Sequence, residues 1–166
     1  MAADPLETAW KIQAALADST GKADTKASIS LSLQSTVLAL LGILAASGRG
    51  VGSRSVPGQV LLWVGGCILL CGALLAAAAV APNLRLERRG PGPDDDYLFF
   101  GHLRHFEPEA LEAALRSGSA LSALSRQIIV MSEIAWTKHR RVQLSLLLAV
   151  TGCAVIGASA ALSVVP

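Results

Sequence analysis

The sequence predicts an all-α integral membrane protein, with about three transmembrane helices and helical cytoplasmic extensions. Run length is the first reason: Ile29–Ala46, Val60–Ala81 and Val142–Val165 hold 18, 22 and 24 consecutive residues without a charge. At 1.5 Å per residue each can cross a hydrocarbon core of ~30 Å. Composition is the second: 52% of the 166 residues are apolar and 16% charged, where soluble domains carry roughly 25% charged residues. The mean hydropathy is +0.53. Helical spacing of apolar residues between the runs is the third. A net charge of +2 excludes a nucleic-acid binder that works by bulk charge. Cys67, Cys71 and Cys153 all sit inside apolar runs, which reads as small helical residues rather than a disulfide scaffold.

The elements follow in order. Residues 1–28 form an amphipathic cytoplasmic helix. Asp4-Pro5 supplies an N-cap with proline at the first helical position, and Leu6, Trp10, Ala14 and Ala17 recur at helical spacing. No short basic leader precedes the first run, which argues against a cleaved signal peptide. The first span is 29–46, diluted by Ser30, Ser32, Gln34, Ser35 and Thr36. A short outer loop, 47–59, is rich in glycine, serine and proline and reads as a turn. The second span is 60–82, ending at Pro82.

Residues 83–141 form a cytoplasmic linker and helices. Arg85–Asp96 contains Gly90-Pro91-Gly92-Pro93 and three aspartates and reads as a linker. Phe106-Glu107-Pro108-Glu109 opens a short helix with acid in its first turn, where it suits the helix dipole; Ser117-Gly118 closes it. From Ser119 a further helix carries Leu121, Leu124, Ile128, Met131 and Ala135 at spacings of 3, 4, 3 and 4. This is an a/d-like seam, and it continues into the third span, 142–165. The expected picture is a bundle in which the first and third spans extend below the bilayer and pack together.

Orientation comes from the lysines and arginines. Twelve lie in 1–28 and 83–141, and two, Arg49 and Arg54, in the outer loop. The positive-inside rule then places the N-terminus and the 83–141 segment in the cytoplasm. All 12 acidic residues lie on that side too, so it is a mixed-charge surface.

Small residues within the spans are ordered. Ser28, Ser32, Ser35, Ala39, Gly42 and Ala46 share one face of the first helix, and Ser145, Ala149, Cys153, Gly157 and Ala161 recur every fourth residue in the third. Such ridges let helix backbones approach closely in lipid. Two readings stay open: packing within the chain, or a face that meets other subunits and lines a wet path. No full charge lies in mid-span, which argues against a proton relay. No phosphate loop, zinc spacing or nucleophile elbow occurs, so the chain reads as neither an enzyme nor a metal or cofactor protein. Asp94-Asp95-Asp96 reads as a solvated linker. His102 and His105 read as a surface pair or as contacts to an anionic ligand.

Three short motifs add to this. Ala23-Asp24-Thr25-Lys26-Ala27-Ser28 stands at the mouth of the first span, and Tyr97-Leu98-Phe99-Phe100-Gly101-His102-Leu103 precedes the short acidic helix. Leu124-Ser125-Arg126-Gln127-Ile128, with Lys138 beyond, leads to the last span. In order and spacing these resemble the Pycsar-type membrane effectors of bacteria over nearly the whole chain. The resemblance implies an anti-phage, abortive-infection role in the bacterial inner membrane. A partner pyrimidine cyclase would supply cyclic CMP or cyclic UMP as the activating ligand, and the effector, expected to be a homo-oligomer, would impair membrane integrity.

The 59 residues of 83–141 leave no room for a β-roll nucleotide domain, so a pocket must lie between helices. A cyclic monophosphate carries one negative charge and needs arginine or lysine donors in a partly dry site. Lys26, Arg126 and Lys138 are the candidate donors. Asp24 is the candidate to orient Lys26 or to accept from a base amine, Tyr97 and Phe100 are candidates to stack on the base, and His102 joins this set. The alternative is a membrane scaffold or small channel subunit that acts by protein contacts and ignores nucleotides.

Overall fold

A computed structural model of the chain describes residues 4–47, 55–81, 103, 106–117 and 120–162. Four helices make up the described regular structure: α1 (Pro5–Ala46), α2 (Val56–Val80), α3 (Pro108–Ser117) and α4 (Ala120–Leu162). Three of them, α1, α2 and α4, are long and apolar enough to cross a membrane. The chain is an all-α membrane protein.

Helix α1 starts as its sequence dictates. The Asp4 carboxylate accepts a hydrogen bond from the Leu6 N–H (3.1 Å) and the Asp4 carbonyl one from the Thr8 hydroxyl (3.0 Å), which satisfies the first turn. The helix then runs unbroken through Gly21 for 42 residues. Helix α2 begins at Val56, with Pro57 inside its first turn where a missing N–H costs nothing. The short acidic helix appears as α3. Helix α4 carries the stretch that precedes the third span and the span itself as one helix of 43 residues.

The chain divides into two compact units, residues 1–21 with 82–136, and residues 22–81 with 137–166. In the first unit Ala9, Ala123, Leu124 and Ala135 are buried, and Phe106, Leu111 and Ala114 are half-buried around α3. The expected seam on α4 holds at Leu124, Ile128, Met131 and Ala135, whereas Leu121, at the first turn, is exposed. The N-terminal face differs from the expected one. Trp10, Ala14 and Ala17 are exposed, and the covered strip is Leu6, Ala9, Gln13 and Leu16. The covered strip mixes two leucines and an alanine with Gln13, whose Oε1 is buried without a hydrogen-bond partner.

The second unit is a three-helix bundle. One residue from each helix, Ala27, Ala79 and Val142, forms an apolar cluster. Helices α1 and α4 run parallel, since Asp24 meets Lys138 and, farther along both, Gln34 meets Ser145. Helix α2 runs antiparallel to α4. Its Gly58 carbonyl accepts from Ser159 (2.7 Å), while a Cβ on Gly65 would lie 3.0 Å from the Gly152 carbonyl oxygen and one on Gly72 3.2 Å from that of Ser145. Backbone touches backbone at these glycines, as close-packed spans in lipid require.

Neither small-residue ridge packs as a whole inside the bundle. Ser28, Ser32, Ser35, Ala39, Gly42 and Ala46 are exposed, and the side of α1 that packs in this unit carries Ala23, Ala27, Ser30 and Gln34. The two strips share 3–4 spacing but are centred roughly 130° apart, at about 100° per residue. On α4, strict fourfold spacing drifts by roughly 40° per step. The ridge therefore starts inside at Ser145, is half-covered at Ala149, and has wound outward by Cys153, Gly157 and Ala161. The packed strip follows 3–4 steps through Val142, Ser145, Ala149, Gly152, Ile156 and Ser159.

Candidate functional site

Two polar clusters interrupt the apolar packing of the bundle. The outer one is an ion pair. Lys138 Nζ donates to both carboxylate oxygens of Asp24, at 2.7 and 2.8 Å. The Lys138 side chain is 15% exposed and that of Asp24 37%, so the pair is shielded enough to outlast the screening that weakens surface bridges. It bridges α1 and α4 just before the apolar runs begin.

The inner cluster lies inside those runs, by roughly 2–8 Å at 1.5 Å per residue. Gln34 Nε2 donates to Ser30 Oγ (2.7 Å) and to Ser145 Oγ (3.0 Å), and the two hydroxyls lie 3.3 Å apart. All three residues are buried, and Gln34 Oε1 has no hydrogen-bond partner. That oxygen points at Gly72, where a Cβ would come within 2.5 Å of it. An unpaired amide oxygen in this setting is costly, so the node holds a polar group in reserve at bilayer depth.

The ends of α2 are tied by side chains of α4. Arg141 Nη1 donates to the Ala78 carbonyl (2.7 Å) at the helix C-terminus, where a cation suits the dipole. Ser159 binds the Gly58 carbonyl at the other end. On the far side of the bundle, an apolar groove of about 240 Å³ runs between α1 and α2, lined by Leu38, Gly42, Trp63, Gly66 and Cys67 among others. Cys67, Cys71 and Cys153 are free thiols on exposed faces.

The candidate ligand residues are distributed as follows. Asp24 and Lys138 come together. Asp24 does not serve Lys26, which is exposed. The reason is periodicity: Lys26 stands two residues from Asp24, roughly 200° around the helix. Arg126 lies in the other unit. There its Nη1 donates to Ser122 Oγ (3.2 Å), and its Nε and Nη2 are buried without a partner. Tyr97, Phe100 and His102 lie outside the described residues, as do His105, Asp94-Asp95-Asp96 and the loop glycines 48, 50 and 52.

Sequence reasoning missed Gln34 and Ser30 as site residues, treating them as polar dilution of a span. The signal was present: Ala23, Ala27, Ser30 and Gln34 keep 4, 3 and 4 spacing in one strip. Arg141 as a helix cap had no local signal, because its partner is 63 residues away. A family model described as the Pycsar effector protein domain matches residues 8–165, nearly the whole chain. No curated protein and no solved structure matches it.

Proposed function

Because the chain belongs to the Pycsar effector protein family, an anti-phage family, we propose that it is an abortive-infection effector that responds to cyclic CMP or cyclic UMP made by a partner cyclase. On binding the nucleotide it impairs the integrity of the bacterial inner membrane, acting without catalysis and as a homo-oligomer. The N-terminus and the α3 segment face the cytoplasm, on the lysine and arginine asymmetry, where the nucleotide is made.

The observation that carries this reading is the Ser30–Gln34–Ser145 node, closed off by the Asp24–Lys138 pair. A purely structural span gains little from a buried amide with an unanswered oxygen. A bundle that opens does gain, because parting α1 from α4 offers water a strip of hydroxyl and amide groups. The outward row Ser28, Ser32, Ser35, Ala39 and Gly42 supplies a face on which copies can pack closely. A nucleotide drives such opening only by binding the open arrangement more tightly than the closed one.

Leakage from liposomes holding the purified full-length protein tests this, with cyclic mono- and oligonucleotides added separately. Leakage with a cyclic pyrimidine alone is the expected result, and a Lys138→Gln variant is expected to leak at lower nucleotide concentration because its lock is weakened. Leakage with no nucleotide would instead describe a constitutive pore. The same outward row also fits the scaffold or channel-subunit reading, and silence with every nucleotide from correctly inserted protein would favour it.

A further inference from the structure

Three cations stand near the helices that a nucleotide must reach, and the structure separates them. Lys138 is spent on Asp24. Lys26 is exposed. Arg126 alone combines burial with unused donors: Nε and Nη2 are buried and unpartnered, while Nη1 is held by Ser122 Oγ one turn earlier on α4. The guanidinium is planar, and its Nε–H and Nη2–H lie along one edge as two parallel donors. That edge is the half of the fork that matches two oxygens of a single oxyanion. The remaining corner is pinned by a neutral hydroxyl, which fixes the plane without neutralising the charge.

Arg126 also lies away from the seam. It is two residues from Leu124 and two from Ile128, roughly 200° from each around α4, on a second covered side that also carries Ala123 and Val130. A half-buried guanidinium whose Nε and Nη2 are covered yet unpartnered is an unfavourable arrangement for a closed, finished core. It is a suitable one for a site that receives its counter-ion from outside.

We infer that the Nε/Nη2 edge of Arg126 is the phosphate-binding element of this protein, taking the two non-bridging oxygens of a cyclic nucleotide's single-charge phosphodiester, with Ser122 as its positioning residue. The inference rests on the nucleotide-responsive reading above and gives it an address on the cytoplasmic part of α4, the helix that continues into the third span.

The test is a binding titration of full-length protein in detergent with cyclic CMP, cyclic UMP and inorganic phosphate, on wild type, Arg126→Lys, Arg126→Met and the surface variant Lys11→Gln. Arg126→Lys keeps the charge and removes the fork, and is expected to weaken cyclic-nucleotide binding at least tenfold, with Lys11→Gln matching wild type. Arg126→Met removes an unpaired buried charge, so it is expected to melt higher than wild type without nucleotide and to show no nucleotide-induced rise. Wild type that binds a cyclic pyrimidine while Arg126→Lys binds it equally well would overturn the assignment and leave the effector reading standing. Inorganic phosphate binding as tightly as the nucleotide would reduce the site to a general oxyanion site and overturn its nucleotide role. Wild type that binds neither nucleotide would remove the reading on which the inference rests.

Discussion

Gly72 shows how much of this bundle is decided by single atoms. Its missing side chain leaves room for the Gln34 amide, and a Cβ there would come within 2.5 Å of Gln34 Oε1 and 3.2 Å of Leu148 Cβ. Gly72→Ala is therefore expected to destabilise the detergent-solubilised protein by about 1–3 kcal/mol, the usual effect of overpacking. Gln34→Ala removes the nearer obstacle, so the double variant is expected to recover part of that loss. A double-mutant cycle of thermal melts reads the coupling, and strictly additive effects would show that the two residues do not meet. At this scale the sequence was only partly legible. Asp24 and Lys138 could be picked out as polar groups near the helix ends, but their pairing spans 114 positions. Nothing local distinguishes that partner from Lys26. Gln34 was hidden for a different reason: a buried glutamine and a lipid-diluting one are the same letter until the strip it belongs to is known.

Among the elements, α4 is the one on which the proposed mechanism depends. It runs from Ala120 to Leu162 without a break, and its covered strip keeps 3–4 steps from Leu124 to Ser159. Regular steps of this kind average 3.5 residues, the repeat that keeps one face turned toward a neighbour. One alanine inserted after Trp136 would turn the residues on either side by roughly 100° relative to each other. Such a variant is expected to bind nucleotide with near wild-type affinity yet fail to release dye. Adding one heptad after both Gly21 and Trp136 keeps the faces and is expected to restore part of the response. Equal leakage from the single-alanine variant would show that the helix does not carry the signal. The existence, order and type of all four helices were readable in advance, because charge-free runs and 3–4 spacing are properties of the chain itself. Which of two strips turned inward on α1 was not. Helical spacing pointed to the Trp10 strip, but the packing used the one through Ala9, since which side is covered depends on the neighbour as well as on the helix.

For the whole molecule the relevant solvent is lipid. Trp63, Leu74, Leu147 and Val150 are all at least 60% exposed, an arrangement that would aggregate a soluble protein and that suits a hydrocarbon surround. Against that oily surface the row Ser28, Ser32, Ser35, Ala39 and Gly42 stands out as small and outward. Its hydroxyls are in part satisfied by their own helix: Ser28 Oγ donates to the Asp24 carbonyl, and Thr36 beside the row donates to that of Ser32. A Ser35→Cys variant, with Cys67, Cys71 and Cys153 replaced by serine or alanine, is expected to form disulfide-linked dimers in membranes on mild oxidation. Cysteine at the lipid-facing Val150 is expected not to. The reverse pattern would place the contact between copies on α4.

The glycine contacts carry a consequence for how such a chain can drift over evolutionary time. A side chain at position 65 would meet Ile156 at 2.6 Å, and one at position 152 would meet Leu69 at 2.8 Å. Leucine, isoleucine and valine can trade places on the outer faces with little penalty, because lipid accepts them alike. Glycine at 65, 72 and 152 has no substitute that keeps the backbones in touch. Among relatives, overall identity can therefore fade while these three positions persist, and such a lineage is better traced by the spacing of its smallest residues than by its most hydrophobic ones.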